Sequence, residues 1–158
     1  MRSGIIIISM IICNTAKPQE KGGMEQYYYT GAGSSTVVPK IYYESSSNWH
    51  SEVRYNYEEL QTISFNTGKR ISISKRLGLT VTPIAGVVLG KLNGGNAGSN
   101  IDLGYKKVFV SLESQFTFSV ERRSQTFFFN WSEAGYQFSD LIYGGVALHV
   151  THTYEIKN

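Results

Sequence analysis

Lys107–Val120 reads KVFVSLESQFTFSV, and the alternation in it decides the fold. Val108, Val110, Leu112, Phe116, Phe118 and Val120 fall on one face, and Ser111, Glu113, Gln115, Thr117 and Ser119 on the other. Successive side chains of a strand point to opposite sides, so a sustained period of two predicts a β-strand with one apolar and one polar face. The same pattern runs outward in both directions. In Ser51–Glu58, Val53, Tyr55 and Tyr57 alternate with Glu52, Arg54, Asn56 and Glu58. In Thr62–Ser74, Ile63, Phe65, Ile71 and Ile73 oppose Ser64, Asn66, Arg70 and Ser72. In Ile142–Tyr154, Ile142, Val146, Leu148 and Val150 oppose Tyr143, Ala147, His149, Thr151 and Thr153. Leu77–Gly90 and Phe127–Phe138 alternate less cleanly, and no segment has the period of an amphipathic helix.

Strand length separates membrane from soluble readings. Strands of soluble proteins average about five or six residues, whereas several of these segments run to about twelve. A strand tilted across a bilayer needs about 9–11 residues, apolar side outward and polar side inward. A soluble lipocalin-like barrel has the same period with its apolar face inward, so periodicity alone leaves both readings open. The polar faces carry Glu52, Arg54, Arg70 and Glu113, which favours a polar interior. The expected fold is therefore all-β, an antiparallel up-and-down transmembrane β-barrel with seven or eight strands in this chain, complete or part of a larger barrel.

Composition agrees. The chain has 158 residues, enough for one ordinary domain. Charged residues make up 17%, aromatics 13% with 11 Tyr and 8 Phe, and there are 16 Gly against 3 Pro. Low charge with abundant Tyr, Phe and Gly favours strands. A net charge of +3, without a concentrated basic face, argues against a nucleic-acid partner. One Cys excludes a disulfide within the chain, and with 3 His it leaves no Cys/His zinc cluster. No metal and no cofactor is expected.

The N-terminus reads as an address. Met1-Arg2 precedes an apolar run, Gly4–Cys13, too short to span a bilayer as a helix but suited to a signal peptide over 1–19. Ile12 disfavours lipidation of Cys13, and the competing reading of the run is an ordinary first strand. Residues 20–47 read as a flexible lead-in, with an extra strand available at Thr36–Glu44 around Pro39, and residues 48–158 as the barrel. Its strands are expected at 49–59, 61–74, 77–90, 100–106, 107–120, 125–138 and 141–156. Tight turns at 75–78, 106–107 and 139–141 alternate with longer connections, among them a Gly-rich loop at Lys91–Asn100. Seven strands leave an open edge, which lipid does not tolerate. Either Thr36–Glu44 closes the barrel or the chain is C-terminally incomplete, and the missing terminal aromatic favours the latter.

The segments SEVRYNYEEL (Ser51–Leu60), VTPIAGVVLG (Val81–Gly90), LGYKK (Leu103–Lys107) and FFFNWSEAGYQFSD (Phe127–Asp140) resemble a family of small Bacteroidetes outer-membrane β-barrel proteins. The resemblance covers roughly residues 48–154 and its motifs are structural. It implies export to the outer membrane of a Gram-negative cell, with the lipid bilayer and the outer-membrane assembly machinery as partners, and implies no reaction.

Candidate site residues follow from the polar faces. Glu52, Arg54, Glu58, Arg70, Glu113 and Glu133 are expected to form a lumen charge network, since charges inside a narrow barrel must be paired and hydrogen-bonded. Trp49, Tyr105, Trp131 and Tyr136 are expected as interface aromatics, where a ring with a polar tip sits best. His149 with Ser132 or Ser111 is the arrangement a lipid hydrolase would need, yet the spacing singles out no catalytic residue. The expected function is a non-enzymatic structural or interaction role in the envelope, with a small polar lumen for solute binding or passage. A soluble periplasmic lipocalin-like barrel binding an apolar ligand and an outer-membrane lipid hydrolase are the alternatives.

Overall fold

The computed structural model describes residues 10–13, 21–31, 34–121, 126–138 and 143–154. These form eleven antiparallel strands: β1 Met10–Cys13, β2 Lys21–Gly31, β3 Ser34–Glu44, β4 Trp49–Tyr55, β5 Thr62–Lys69, β6 Ile71–Ser74, β7 Leu79–Gly90, β8 Gly94–Tyr105, β9 Val108–Ser119, β10 Thr126–Gln137 and β11 Tyr143–Tyr154. No helix occurs among the described residues. Each strand pairs with the next in one meander, except that β5 and β6 both pair with β7, on either side of a break at Arg70.

The sheet curls strongly. Arg54 on β4 reaches Glu113 and Gln115 on β9, although those strands are separated by three others in the sheet. Tyr27 on β2 likewise meets Trp131 on β10, with ring centroids 5.6 Å apart. One face of the sheet thus encloses a barrel-like interior.

Three expectations about the strands are corrected. The count is higher than seven or eight, because residues expected to be a flexible lead-in form β2 and β3, Met10–Cys13 forms β1, and the strand expected at 61–74 divides into β5 and β6. β3 coincides with the extra strand foreseen at Thr36–Glu44 and extends it by two residues on the N-terminal side. The Gly-rich loop expected at Lys91–Asn100 shrinks to a turn at 91–93, and its glycines belong to β8. A Cβ at Gly94 would collide with the carbonyl oxygen of Phe118, and one at Gly98 with that of Ser114. Glycine here lets two backbones approach closely, a strand role that composition alone reads as a loop. The strand expected at 49–59 stops at Tyr55, where Asn56 turns to a positive φ of 58° and its side chain accepts from the Gln61 amide at 2.7 Å. Of the expected signal peptide, residues 1–9 and 14–19 lie outside the described residues, and Met10–Cys13 pairs with Gly23–Gln26 of β2 as an edge strand.

The faces follow the alternation, with apolar side chains outward and polar side chains inward. Outward side chains include Ile41, Phe65, Val87, Phe116, Val146 and Leu148, with Val146 76% exposed. The inner face buries Glu52, Arg54, Thr62, Ser64, Asn66, Gln115 and Thr117. Buried hydrophobic side chains among the described residues are few: Val38, Ile84, Val88, Leu92, Phe129 and Trp131. Toward the end of the sheet that carries the 56–61 and 91–93 connections, the Leu92 amide donates to Thr62 Oγ1 at 3.3 Å and Val88 stands opposite Ser64.

Candidate functional site

The interior charge network grows from β4, whose alternation places His50, Glu52 and Arg54 on the inner face. Arg54 is fully buried. It contacts Glu52 on its own strand, reaches Glu113 at 2.5 Å and donates to Gln115 Oε1 at 3.1 Å. Its guanidinium also lies 4.3 Å over the Tyr57 ring. Two carboxylates and an aromatic face supply the charge and polarizable surface that a desolvated guanidinium requires.

Glu52 is the hub. Besides Arg54 it faces Lys40 Nζ at 3.6 Å and His50 Nε2 at 3.2 Å, and it accepts from Asn66 Nδ2 at 3.3 Å. Lys40 bridges onward to Glu25 at 3.4 Å, which accepts the Tyr27 hydroxyl at 2.6 Å. On the other side His50 Nδ1 lies 3.7 Å from Glu44, and Arg70 Nη1 bonds both Glu44 oxygens at 2.6 and 2.8 Å. The register sets these pairs: Lys40 is opposite Arg54, Tyr42 opposite Glu52 and Glu44 opposite His50.

Of the six expected network residues, Glu52, Arg54 and Glu113 meet directly, and Arg70 joins the same wall through Glu44 and His50. Glu58 arrives from the 56–61 connection rather than from a strand, and its Oε1 accepts from Gln115 Nε2 at 3.2 Å. Burial pushes its carboxyl above the usual range, opposed by the nearby Arg54 charge. Glu133 lies on the inner face of β10, hydrogen-bonded by the Trp131 side chain and making no ion pair among the described residues.

The aromatics divide. Trp49, Tyr105 and Tyr136 project outward at the end of the sheet that carries the tight turns, with Lys69 and Lys106 over the rings of Trp49 and Tyr105. Trp131, expected with them, is instead buried inside, because Phe127, Phe129 and Trp131 share the inner face of β10. Tyr57, expected on the outer face with Val53 and Tyr55, also turns inward once β4 ends, and packs against Phe129 with centroids 5.1 Å apart.

Sequence reasoning missed Glu25, Tyr27, Lys40, Glu44 and His50. All but His50 fall in the stretch read as a lead-in. A signal was present: Lys40, Tyr42 and Glu44 alternate with Ile41 and Tyr43. Pro39 obscured it, since proline demotes a strand, but here it sits opposite Gln26 on the outer face of β3.

A cavity of about 540 Å³ occupies the half of the interior nearer the tight turns, lined by side chains from the Glu25–Lys40 and Glu44–His50–Arg70 groups and by Asp102, Ser111, Glu113, Trp131 and Glu133. Among the described residues no group of three or more His, Cys, Asp or Glu is placed to hold a metal ion. The hydroxyl of Ser111 donates to Asp102 at 2.8 Å, Ser132 donates to Asn130 at 2.8 Å on the outer face, and His149 Nε2 lies 2.9 Å from Thr151 Oγ1. No family model, no curated protein and no solved structure matches the chain.

Proposed function

We propose that the chain is a non-enzymatic outer-membrane β-barrel protein with a structural or interaction role in the envelope and a small polar lumen for solute. What carries this reading is the inverted environment of the two faces: Arg54 and Glu52 are buried inside while Ile41, Phe65, Val87 and Leu148 are exposed outside. In water an exposed apolar face this extensive is a liability, whereas lipid tails solvate it. A lipocalin-like barrel would need the reverse, with apolar side chains lining the cavity. The outward Trp49, Tyr105 and Tyr136 gather at one rim, where a headgroup girdle would place them. The resemblance of the strand and turn motifs to the Bacteroidetes outer-membrane family supports the same setting, with the bilayer and the assembly machinery as partners. Membrane fractionation of cells expressing the chain tests it. Recovery in the outer membrane, resistant to alkaline carbonate, is the expected result, and recovery in the soluble fraction without detergent would overturn the reading.

A further inference from the structure

The cavity is unevenly charged. Glu25, Glu44, Asp102, Glu113 and Glu133 line it, against Lys40, His50 and Arg70. Ion pairs account for Glu25, Glu44 and Glu113. Asp102 and Glu133 have no cation within ion-pair distance among the described residues. They lie on one rung of the sheet, either side of Ser111, since Asp102 pairs with Ser111 and Ser111 with Glu133. Adjacent strands are about 4.8 Å apart, so these carboxylates stand about 10 Å apart across the wall. Beside them the Trp131 and Tyr27 rings meet edge to face and form an aromatic corner of the same cavity.

The packed half of the interior shows what such a combination holds. There the guanidinium of Arg54 lies over Tyr57 and between Glu52 and Glu113. The cavity offers the same elements, an aromatic corner and acidic side chains, around open space. We propose that this cavity binds a small solute bearing a guanidinium or primary ammonium group, held by Asp102 and Glu133 against Trp131 and Tyr27. A cation over a desolvated aromatic face and beside carboxylates gains from both, whereas an anion meets the excess of carboxylates and an uncharged solute gains neither. The inference deepens the lumen reading above and rests on it for the setting of the site.

The test uses the full chain carrying Trp49→Phe, which leaves Trp131 as the tryptophan reporter, reconstituted in liposomes and floated on a density gradient. Agmatine, with one guanidinium and one ammonium, is titrated against Trp131 emission and by calorimetry. n-Butylurea serves as the uncharged counterpart and propionate as the anion. The expected result is saturable binding of agmatine alone, weakened at least tenfold by Asp102→Asn with Glu133→Gln. Equal binding of n-butylurea, or no saturable response to agmatine in floated protein, overturns the site and leaves the membrane reading standing. Failure to float with agmatine still bound overturns the membrane reading and supports the site. Because the ligand comparison is made on otherwise unaltered chain, it decides the matter even where the double variant does not assemble.

Discussion

Arg54 concentrates the energetics of the interior on one side chain. It is fully buried and makes ion pairs with both Glu52 and Glu113, which are themselves 2% and 8% exposed. Deleting one partner of a buried ion pair leaves an uncompensated charge, which costs about 3–5 kcal/mol. Arg54→Ala is therefore expected to lose that much stability in denaturant unfolding of the detergent-solubilised chain, with Arg54→Lys intermediate because an ammonium cannot fork between two carboxylates. An unchanged midpoint for Arg54→Ala would show that water or a relaxed Lys40 replaces it. Glu58 presents the opposite case. Its carboxyl sits buried in the 56–61 connection, and burial raises its proton affinity above the ordinary 4.5. The folded chain then holds the proton to higher pH than the unfolded chain does. Stability must fall as pH rises from 4.5 through the raised folded value, and the penalty is complete above it. Glu58→Gln keeps the acceptor for Gln115 and removes the charge. The variant is expected to gain on the parent chain as pH rises from 4.5 to 7, measured as the difference in unfolding midpoint across that range. A pH-independent difference would place the Glu58 charge in a solvated environment.

At the level of elements, β8 shows where glycine count misleads. Gly94 and Gly98 are inner-face positions at which a side chain has no room against β9, whereas a Cβ at Gly104 meets nothing within 4 Å. Gly98→Val is expected to destabilise by about 1–3 kcal/mol, the usual cost of overpacking, and Gly104→Ala to be near neutral. Comparable losses at both positions in thermal unfolding would mean that strand entropy, not the approach of β9, governs the segment. The same contrast explains how much of the fold was legible. Strands such as β9 and β11 were readable because polar and apolar residues alternate without interruption, and alternation is fixed by backbone geometry alone. β8 was hidden because glycine has no side chain to carry a period, and β3 because Pro39 imitates a boundary while sitting on the outer face. Of the site, Glu52, Arg54 and Glu113 were readable as polar-face charges, but their convergence depends on how far the sheet curls. Trp131 was misassigned because Phe127–Phe128–Phe129 breaks the period just where its face had to be decided, and Tyr57 and Glu58 because both turn inward after a strand that ends early.

For the whole molecule, the distribution of polarity bears on the solvent more than any single residue does. The half of the interior around Thr62, Val88, Leu92 and Gln115 is filled with fully buried side chains, and the other half holds the cavity. Ion pairs join Arg54, Lys40, Glu52 and Glu113, and Arg70 with Glu44, inside the sheet whatever surrounds the molecule, so what the outer face requires sets the environment in which the fold is stable. Val87 on β7 and Leu148 on β11 are 50% and 60% exposed on that face. In water, replacing an exposed apolar side chain away from special features changes stability by no more than about 0.5 kcal/mol, and lysine adds solubility. At the lipid-facing midplane of a barrel, lysine instead costs about 2–4 kcal/mol, falling toward zero near the interfaces. Val87→Lys and Leu148→Lys therefore discriminate the two solvents without touching the lumen. The proposed outer-membrane setting predicts that both variants unfold at clearly lower urea than the parent chain in liposomes. It also predicts that Tyr105→Lys, on the aromatic rim, costs far less. If all three are neutral in liposomes, or if the first two raise the yield of folded protein in detergent-free buffer, the outer face is wetted by water and the barrel belongs outside the bilayer.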